Sequence, residues 1–345
     1  MPESLAYING RFLPMSQLSL PVYDAGFVLG AAVSEQIRTF QGELFRLEHH
    51  LSRLSRSLKI VEVDPGHDLR RLAEIARQLA SQNHQDLDRD DDLGLSLFIT
   101  PGPYPTLAPP GPARATVCMH TYPLPFSTWV KKYAEGQALA TSDVQQVPAA
   151  CWPPELKCRS RMHYYLADRQ AAARQPGARA LLLDAQGGVV EASTANIVVY
   201  YKNQGLVAPP RDSILPGVSL AVMEELAAEI QIPFENRKLT ITDVSAATEA
   251  MLCSTSSCVL PIAELNGAPI GDGRPGPIFQ QILSAWSKLA GVDIRAQAEQ
   301  FADRGAGRPR APGSAPPRRR AIARWQPRRN SSGHSGHRIC SPVQR

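Results

Sequence analysis

Long apolar runs are missing from this chain: no stretch reaches the roughly 20 residues that a membrane-spanning helix needs. The N-terminus, Met1-Pro-Glu-Ser-Leu-Ala-Tyr7, has neither the basic region nor the apolar stretch of a secretory signal. Cysteine is scarce, and Cys118, Cys151, Cys158, Cys253, Cys258 and Cys340 form no C-x-x-C pair. These absences argue against a membrane protein, a disulfide-stapled secreted domain and a zinc site. The expectation is a cytoplasmic protein with reduced thiols and no metal.

Positive charge is also missing from most of the chain, although the formal net charge is +5. From Asp303 onward there are eleven arginines, no lysine and one acid, a contribution of +10, so residues 1–302 carry −5. The last segment, 301–345, is rich in Arg, Pro and Gly and too poor in apolar residues to offset the entropy of ordering, so it is expected to be disordered. A basic tail can serve as a nucleic-acid arm in a non-catalytic protein. Here no aromatic platform or recognition motif accompanies the charge, so nucleic acid is not the expected partner. The exclusive use of arginine also fits GC-rich DNA read in a shifted frame.

What is present is an alternation of strand and helix signals. Tyr7-Ile-Asn9-Gly10-Arg-Phe12 predicts an Asn-Gly hairpin, and Ser34–Phe40 followed by Gln41-Gly42 and Leu44–Leu47 predicts a second. Leu47, Leu51, Leu54 and Leu58 recur at helical spacing, as do Leu69, Leu72, Ile75 and Leu79. Strands are expected at Gly94–Thr100 and Ala115–His120. The second half reads as a hairpin over Ala180–Ser193, a strand over Ala195–Tyr201 and a helix over Val218–Ile230. Then follow a strand–loop–strand over Met251–Pro261 and a helix over Pro277–Ala290. The division expected is an α+β domain over 1–125, a connector over 126–131, a larger domain over 132–300 and the tail over 301–345.

Lys157 stands where a Pro-rich segment runs toward a helix. A desolvated lysine amine can form a Schiff base with an aldehyde, and in amino-acid chemistry that aldehyde is usually pyridoxal phosphate. Most lysines are merely solvated, so this one needs company. Glu191 lies on a largely apolar strand, where a carboxylate is costly unless partnered; it suits a pyridine nitrogen. Gly217-Val218-Ser219 opens a helix, whose free N–H groups favour an anion, and Ser254-Thr255-Ser256-Ser257 adds hydroxyls. Arg53 can add charge to such a phosphate cradle. Arg38, Arg159 and Arg161, with Tyr7, Tyr164 and Tyr165, are candidate binders of a substrate carboxylate.

The order of these pieces resembles the class IV, fold-type IV pyridoxal-phosphate enzymes: branched-chain and D-amino-acid aminotransferases and aminodeoxychorismate lyase. The markers are Tyr7-Ile-Asn-Gly-Arg11, Asp24-Ala-Gly-Phe-Val-Leu-Gly30, Glu35-Gln-Ile-Arg38 and Phe45–Leu54. They continue with Leu156-Lys157, Glu191–Ile197, Ile214–Ser219 and Ser254-Thr255-Ser256, and together cover roughly residues 5–290. The resemblance implies an α+β fold: a small N-terminal α/β sandwich domain and a larger C-terminal pseudo-barrel, with the cofactor between them. It implies Lys157 as the Schiff-base lysine, Glu191 as the pyridine-nitrogen partner and Leu215 packed on the ring. Arg53, Val218, Ser219, Thr255 and Ser256 would hold the phosphate. It further implies a homodimer acting on an amino acid, possibly branched-chain, and a 2-keto acid. The alternative reaction is lysis to 4-aminobenzoate and pyruvate. Three departures stand out. Ser34 replaces the usual aromatic before Glu35, and Gly94–Thr100 carries no arginine, unlike many D-amino-acid enzymes. Cys158–Tyr165 lacks the Gly-Asn-Tyr pattern of standard branched-chain enzymes.

Overall fold

A computed structural model describes residues 3–305. The expected tail lies, from residue 306, outside the described residues. Residues 301–305 end a helix and form a 3₁₀ turn.

The first sheet is antiparallel throughout. Its strands are β1 (Leu5–Ile8), β2 (Arg11–Pro14), β3 (Val33–Phe40), β4 (Glu43–Leu44), β5 (Leu93–Thr100) and β6 (Thr116–Pro123), in the order β2-β1-β6-β5-β3-β4. The first hairpin turns at Asn9 and Gly10, with φ of 46° and 89°. Two successive positive φ values match the right-handed twist of the strands, and only Gly or Asn adopts them cheaply. Gln41 and Gly42 turn the second hairpin in the same way. Its return strand is shorter than expected: the backbone turns left-handed at Arg46 (φ 55°) and the chain enters a helix.

Beside the short α1 (Ala25–Val28), two long helices cover this sheet, α2 (Leu47–Ile60) and α3 (Leu69–His84). Leu47, Leu51, Leu54 and Leu58 are buried, and so are Leu72, Ile75 and Leu79. They form one core with Ile37, Leu95, Leu97 and Ile99 of the sheet, while Leu69 stays at the surface. The helical leucine spacing thus becomes one apolar stripe per helix against one sheet face.

The second half is a curled mixed sheet. Its strands are β7 (Gln137–Thr141), β8 (Arg179–Leu183), β9 (Val189–Ala192), β10 (Asn196–Tyr201), β11 (Gly205–Ala208), β12 (Phe234–Asn236), β13 (Glu249–Ser254), β14 (Cys258–Leu265) and β15 (Ala268–Pro269). Their order is β12-β11-β10-β13-β14-β7-β8-β9, with β15 beside β14. The tight turn Ser193-Thr194 brings β9 back against β10 through the Ala192–Ala195 bridge. The path from β10 round to β9 therefore curls until its two ends meet at this turn, the half-barrel form of the pseudo-barrel that the resemblance implied.

The remaining helices are α4 (Lys132–Glu135), α5 (Met162–Arg174), α6 (Val218–Glu229), α7 (Ile241–Ser245), α8 (Pro277–Ala290) and α9 (Ile294–Phe301). The buried carboxylate of Glu249 accepts from the backbone N–H of Ile278 and Phe279, both at 2.9 Å, and so caps α8. Among the described residues no helix is long and apolar enough to cross a membrane.

Candidate active site

The segment around Lys157 is extended, and α5 begins only at Met162. Lys157–Arg159 pairs with the free edge of β3: Ser34 N–H donates to the Lys157 carbonyl at 3.0 Å and Arg159 N–H to the Ala32 carbonyl at 2.7 Å. The Lys157 N–H donates to Ser57 Oγ of α2 at 3.1 Å. Three bonds from two elements therefore fix the backbone of a residue whose flanks carry no regular pattern.

The side chain opens into a cavity of about 590 Å³ between the two sheets. Arg53, Lys157, Arg159, Arg161, Glu191, Leu215, Val218, Ser219, Thr255 and Ser256 all line it. The Lys157 amine is held down at about 7, first by desolvation and then by the cations Arg53 and Arg161; Glu35 and Glu191 pull the other way. Near neutrality much of this amine is free base and nucleophilic.

Arg53 is aimed by Glu35. Arg53 Nε and Nη2 donate to the two Glu35 oxygens at 2.8 and 2.7 Å, and Nη1 donates to the Pro216 carbonyl at 2.9 Å. His50 Nδ1 lies 2.7 Å from the same carboxylate. Burial would raise the Glu35 pKa, yet Arg53 and His50 override it and hold the group well below the carboxylate range. Glu35 and His50 were motif residues without an assigned task; only the structure shows that they aim Arg53.

Opposite, Glu191 on β9 is buried, and Gln146 Nε2 and Tyr164 Oη both donate to its Oε1, the former at 2.7 Å. Desolvation raises its pKa, while these two bonds oppose the shift. The N-terminus of α6 also lines the cavity, through Gly217, Val218 and Ser219, and Gly217 has no side-chain cap. A Cβ on Gly217 would lie 2.0 Å from Asn196 Oδ1, so any other residue there would force Asn196 or the turn to shift. The Ser254–Ser257 loop completes this corner.

A second corner faces the first sheet. Tyr122 Oη donates to Gln36 Oε1 at 2.9 Å, and Gln36 Nε2 to Ser96 Oγ at 2.9 Å. Arg159 Nη1 donates to the same Ser96 Oγ at 3.2 Å, with its guanidinium 5.1 Å over the Phe98 ring. Neither Arg159 nor Arg161 is paired with a carboxylate among the described residues. Gln36, Ser96 and Tyr122 were not anticipated; alternation along β3 and β5 could have marked the first two as facing residues.

Two expected carboxylate binders are elsewhere. Tyr7 is 2% exposed in the core of the first sheet, edge-on to Phe12, with its hydroxyl 3.1 Å from His67 Nε2. Arg38 is 1% exposed and does not line the cavity; the Ser254–Ser257 loop, Phe40 and α9 cover it.

A lysine amine held near neutrality, a partnered buried carboxylate and an uncapped helix N-terminus thus share one cavity, the kind of cluster that marks an enzyme site. The chain belongs to the class IV amino-transferase family, which it matches over residues 32–265. It is 26% identical to the D-alanine aminotransferase of Staphylococcus epidermidis over 289 residues, 82% of this chain and 96% of that protein. The branched-chain amino acid aminotransferase of Escherichia coli has the same fold (TM-score 0.76, 21% identity, 84% of this chain and 95% of the other). So does the T.th. branched-chain amino acid aminotransferase complexed with N-(5′-phosphopyridoxyl)-L-glutamate (TM-score 0.74, 22% identity, 84% and 95%).

Proposed function

We propose that this enzyme uses pyridoxal 5′-phosphate to move an amino group from an amino acid to a 2-keto acid. The observation that carries the reading is the Lys157 amine, held near 7, in one cavity with Glu191 and the open N-terminus of α6. The residues present suit the cofactor. Arg53, the first amides of α6 at Val218 and Ser219, and the hydroxyls of Thr255 and Ser256 would hold its phosphate, Leu215 its ring face and Glu191 its pyridine nitrogen. Bound there, the cofactor supplies an aldehyde for the amino group and a ring that withdraws electrons from the substrate Cα.

The protein's own share is positioning and proton transfer. Lys157 would anchor the cofactor, and its amine, once freed, would take the proton from the substrate Cα. Three hydrogen bonds hold the backbone of its segment in place. Gln146 and Tyr164 keep the Glu191 carboxylate turned inward. Arg159 and Arg161 bring uncompensated positive charge to the opposite corner, where a substrate carboxylate would sit.

The relatives' names support both D-alanine and branched-chain substrates, and the lyase reading uses the same cofactor residues. One experiment separates them. The purified protein should show the absorbance of lysine-bound pyridoxal phosphate. Adding D-alanine, L-leucine or L-glutamate should bleach that band for the true donor, with release of its keto acid. A colourless protein that ignores added cofactor would sink the proposal. Pyruvate and 4-aminobenzoate from aminodeoxychorismate, without keto acid from any amino acid, would establish the lyase instead.

A further inference from the structure

The loop at the anion corner is held from behind. Ser254–Ser257 lines the cavity, whereas Arg38 and Tyr133 do not and are 1% and 0% exposed. Arg38 Nη1 donates to the Ser256 carbonyl at 2.8 Å, and Tyr133 Oη donates to the Ser257 carbonyl at 2.8 Å. Two consecutive carbonyls are thus taken by groups outside the cavity. A trans peptide points its N–H opposite to its C=O, so fixing the Ser256 carbonyl on the far side turns the Ser257 N–H toward the near side. Cys258, which closes the loop, keeps a φ of 62°, the left-handed conformation that places neighbouring amides around an anion-binding hollow. A non-glycine residue stays in that region only when its surroundings hold it there.

The charge behind the loop has the matching sign. Arg38 touches no carboxylate among the described ion pairs. Its other partners are the Thr39 carbonyl at 3.3 Å, Cys258 Sγ at 3.4 Å and Gln297 Oε1 at 2.7 Å, with the Phe40 ring 4.2 Å away. Burial pushes the Cys258 thiol up, so the sulfur remains neutral and does not cancel the cation. Compensation arrives through Gln297, whose Nε2 donates to Asp92 Oδ2 and to the Asp90 carbonyl, both at 2.7 Å. A buried guanidinium so weakly compensated favours an anion close by.

We infer that Arg38 and Tyr133 are positioning residues for the cofactor phosphate: they set the loop peptides from the far side, and Arg38 adds buried positive charge. The inference rests on the pyridoxal-phosphate reading, and its test separates the two. Full-length protein stripped of cofactor is titrated with pyridoxal phosphate and with pyridoxal, which lacks the phosphate. This is done for wild type, Tyr133→Phe, Arg38→Lys and Arg38→Met. Each variant should bind pyridoxal phosphate roughly tenfold more weakly, the effect of one lost hydrogen bond to a charged or buried partner. Affinity for pyridoxal should stay within about twofold, since no phosphate contact is at stake. Equal weakening of both compounds, or no weakening of either, overturns the inference. If Arg38→Met does not fold, the near-isosteric Tyr133→Phe carries the test alone. Wild type that binds neither compound overturns the cofactor reading, a result distinct from the others.

Discussion

At the scale of single residues, the chemistry is set by how burial and charge meet at Lys157. The free amine lies near 7 because desolvation and two neighbouring arginines penalise its charged form more than Glu35 and Glu191 favour it. Below that value the amine is protonated and cannot attack an aldehyde; above it the free base dominates. The rate of pyridoxal-phosphate capture by stripped protein should therefore rise between about pH 6 and 8 and then level off. An ordinary lysine would keep accelerating toward pH 10, and stopped-flow absorbance across that range distinguishes the two. Lys157→Ala should abolish cofactor attachment and lower amino transfer by at least about a hundredfold. Lys157 and Glu191 stand out in the sequence because a charged group in an apolar or Pro-rich setting demands an explanation, and both line the cavity. Arg38, expected at the substrate carboxylate, lies outside the cavity for a geometric reason. It lies two residues from Gln36 on β3 and so shares its face. Nothing local in the sequence shows that α9 and the Ser254–Ser257 loop fold over one of the two and leave the other in the cavity.

At the scale of elements, hairpins and amphipathic helices were legible and long-range pairings were not. Asn9-Gly10, Gln41-Gly42 and the Gly187-Gly188 turn carry their own geometry, and the leucine stripes of α2 carry theirs. The Lys157 segment gives no such signal, because its strand-like form is imposed by β3 more than a hundred residues away, through the Val33–Cys158 bridge. The start of α6 shows how tightly one element can be tied to the site. Gly217→Ala would bring a methyl carbon against Asn196 Oδ1, a residue whose Nδ2 donates to the Leu215 carbonyl at 3.1 Å. Either that bond breaks or the helix start shifts, at a cost of about 1–3 kcal/mol. The expected outcome is a lower melting temperature together with faster loss of cofactor on dialysis. A variant that retains cofactor like wild type would show that the turn has slack.

At the scale of the whole molecule, one exposed apolar surface stands out. Val22 and Phe27 are 75% and 74% exposed, and Leu29, Leu107, Met162 and Tyr165 lie open on adjoining segments. These segments are joined by bonds from Tyr104 N–H to the Tyr23 carbonyl and from Ser160 Oγ to the Gly30 carbonyl. Apolar side chains clustered in this way suit a second copy of the chain. A light-scattering mass of twice 37.6 kDa is expected, and a monomer at micromolar concentration would remove the homodimer. The described residues that line the cavity run from Gln36 to Leu260, so a chain ending at 305 should keep its amino-transfer rate and cofactor affinity. A loss of either in a steady-state assay would give the tail a task.

A cut one helix earlier should behave differently. Gln297 sits on α9, the last helix described, yet it receives Arg38 and passes the contact on to Asp92. During synthesis this glutamine leaves the ribosome after every described residue that lines the cavity. On the inference drawn above, the loop that would meet the phosphate is braced only once α9 arrives, so a nascent chain stalled before α9 should hold the cofactor more weakly.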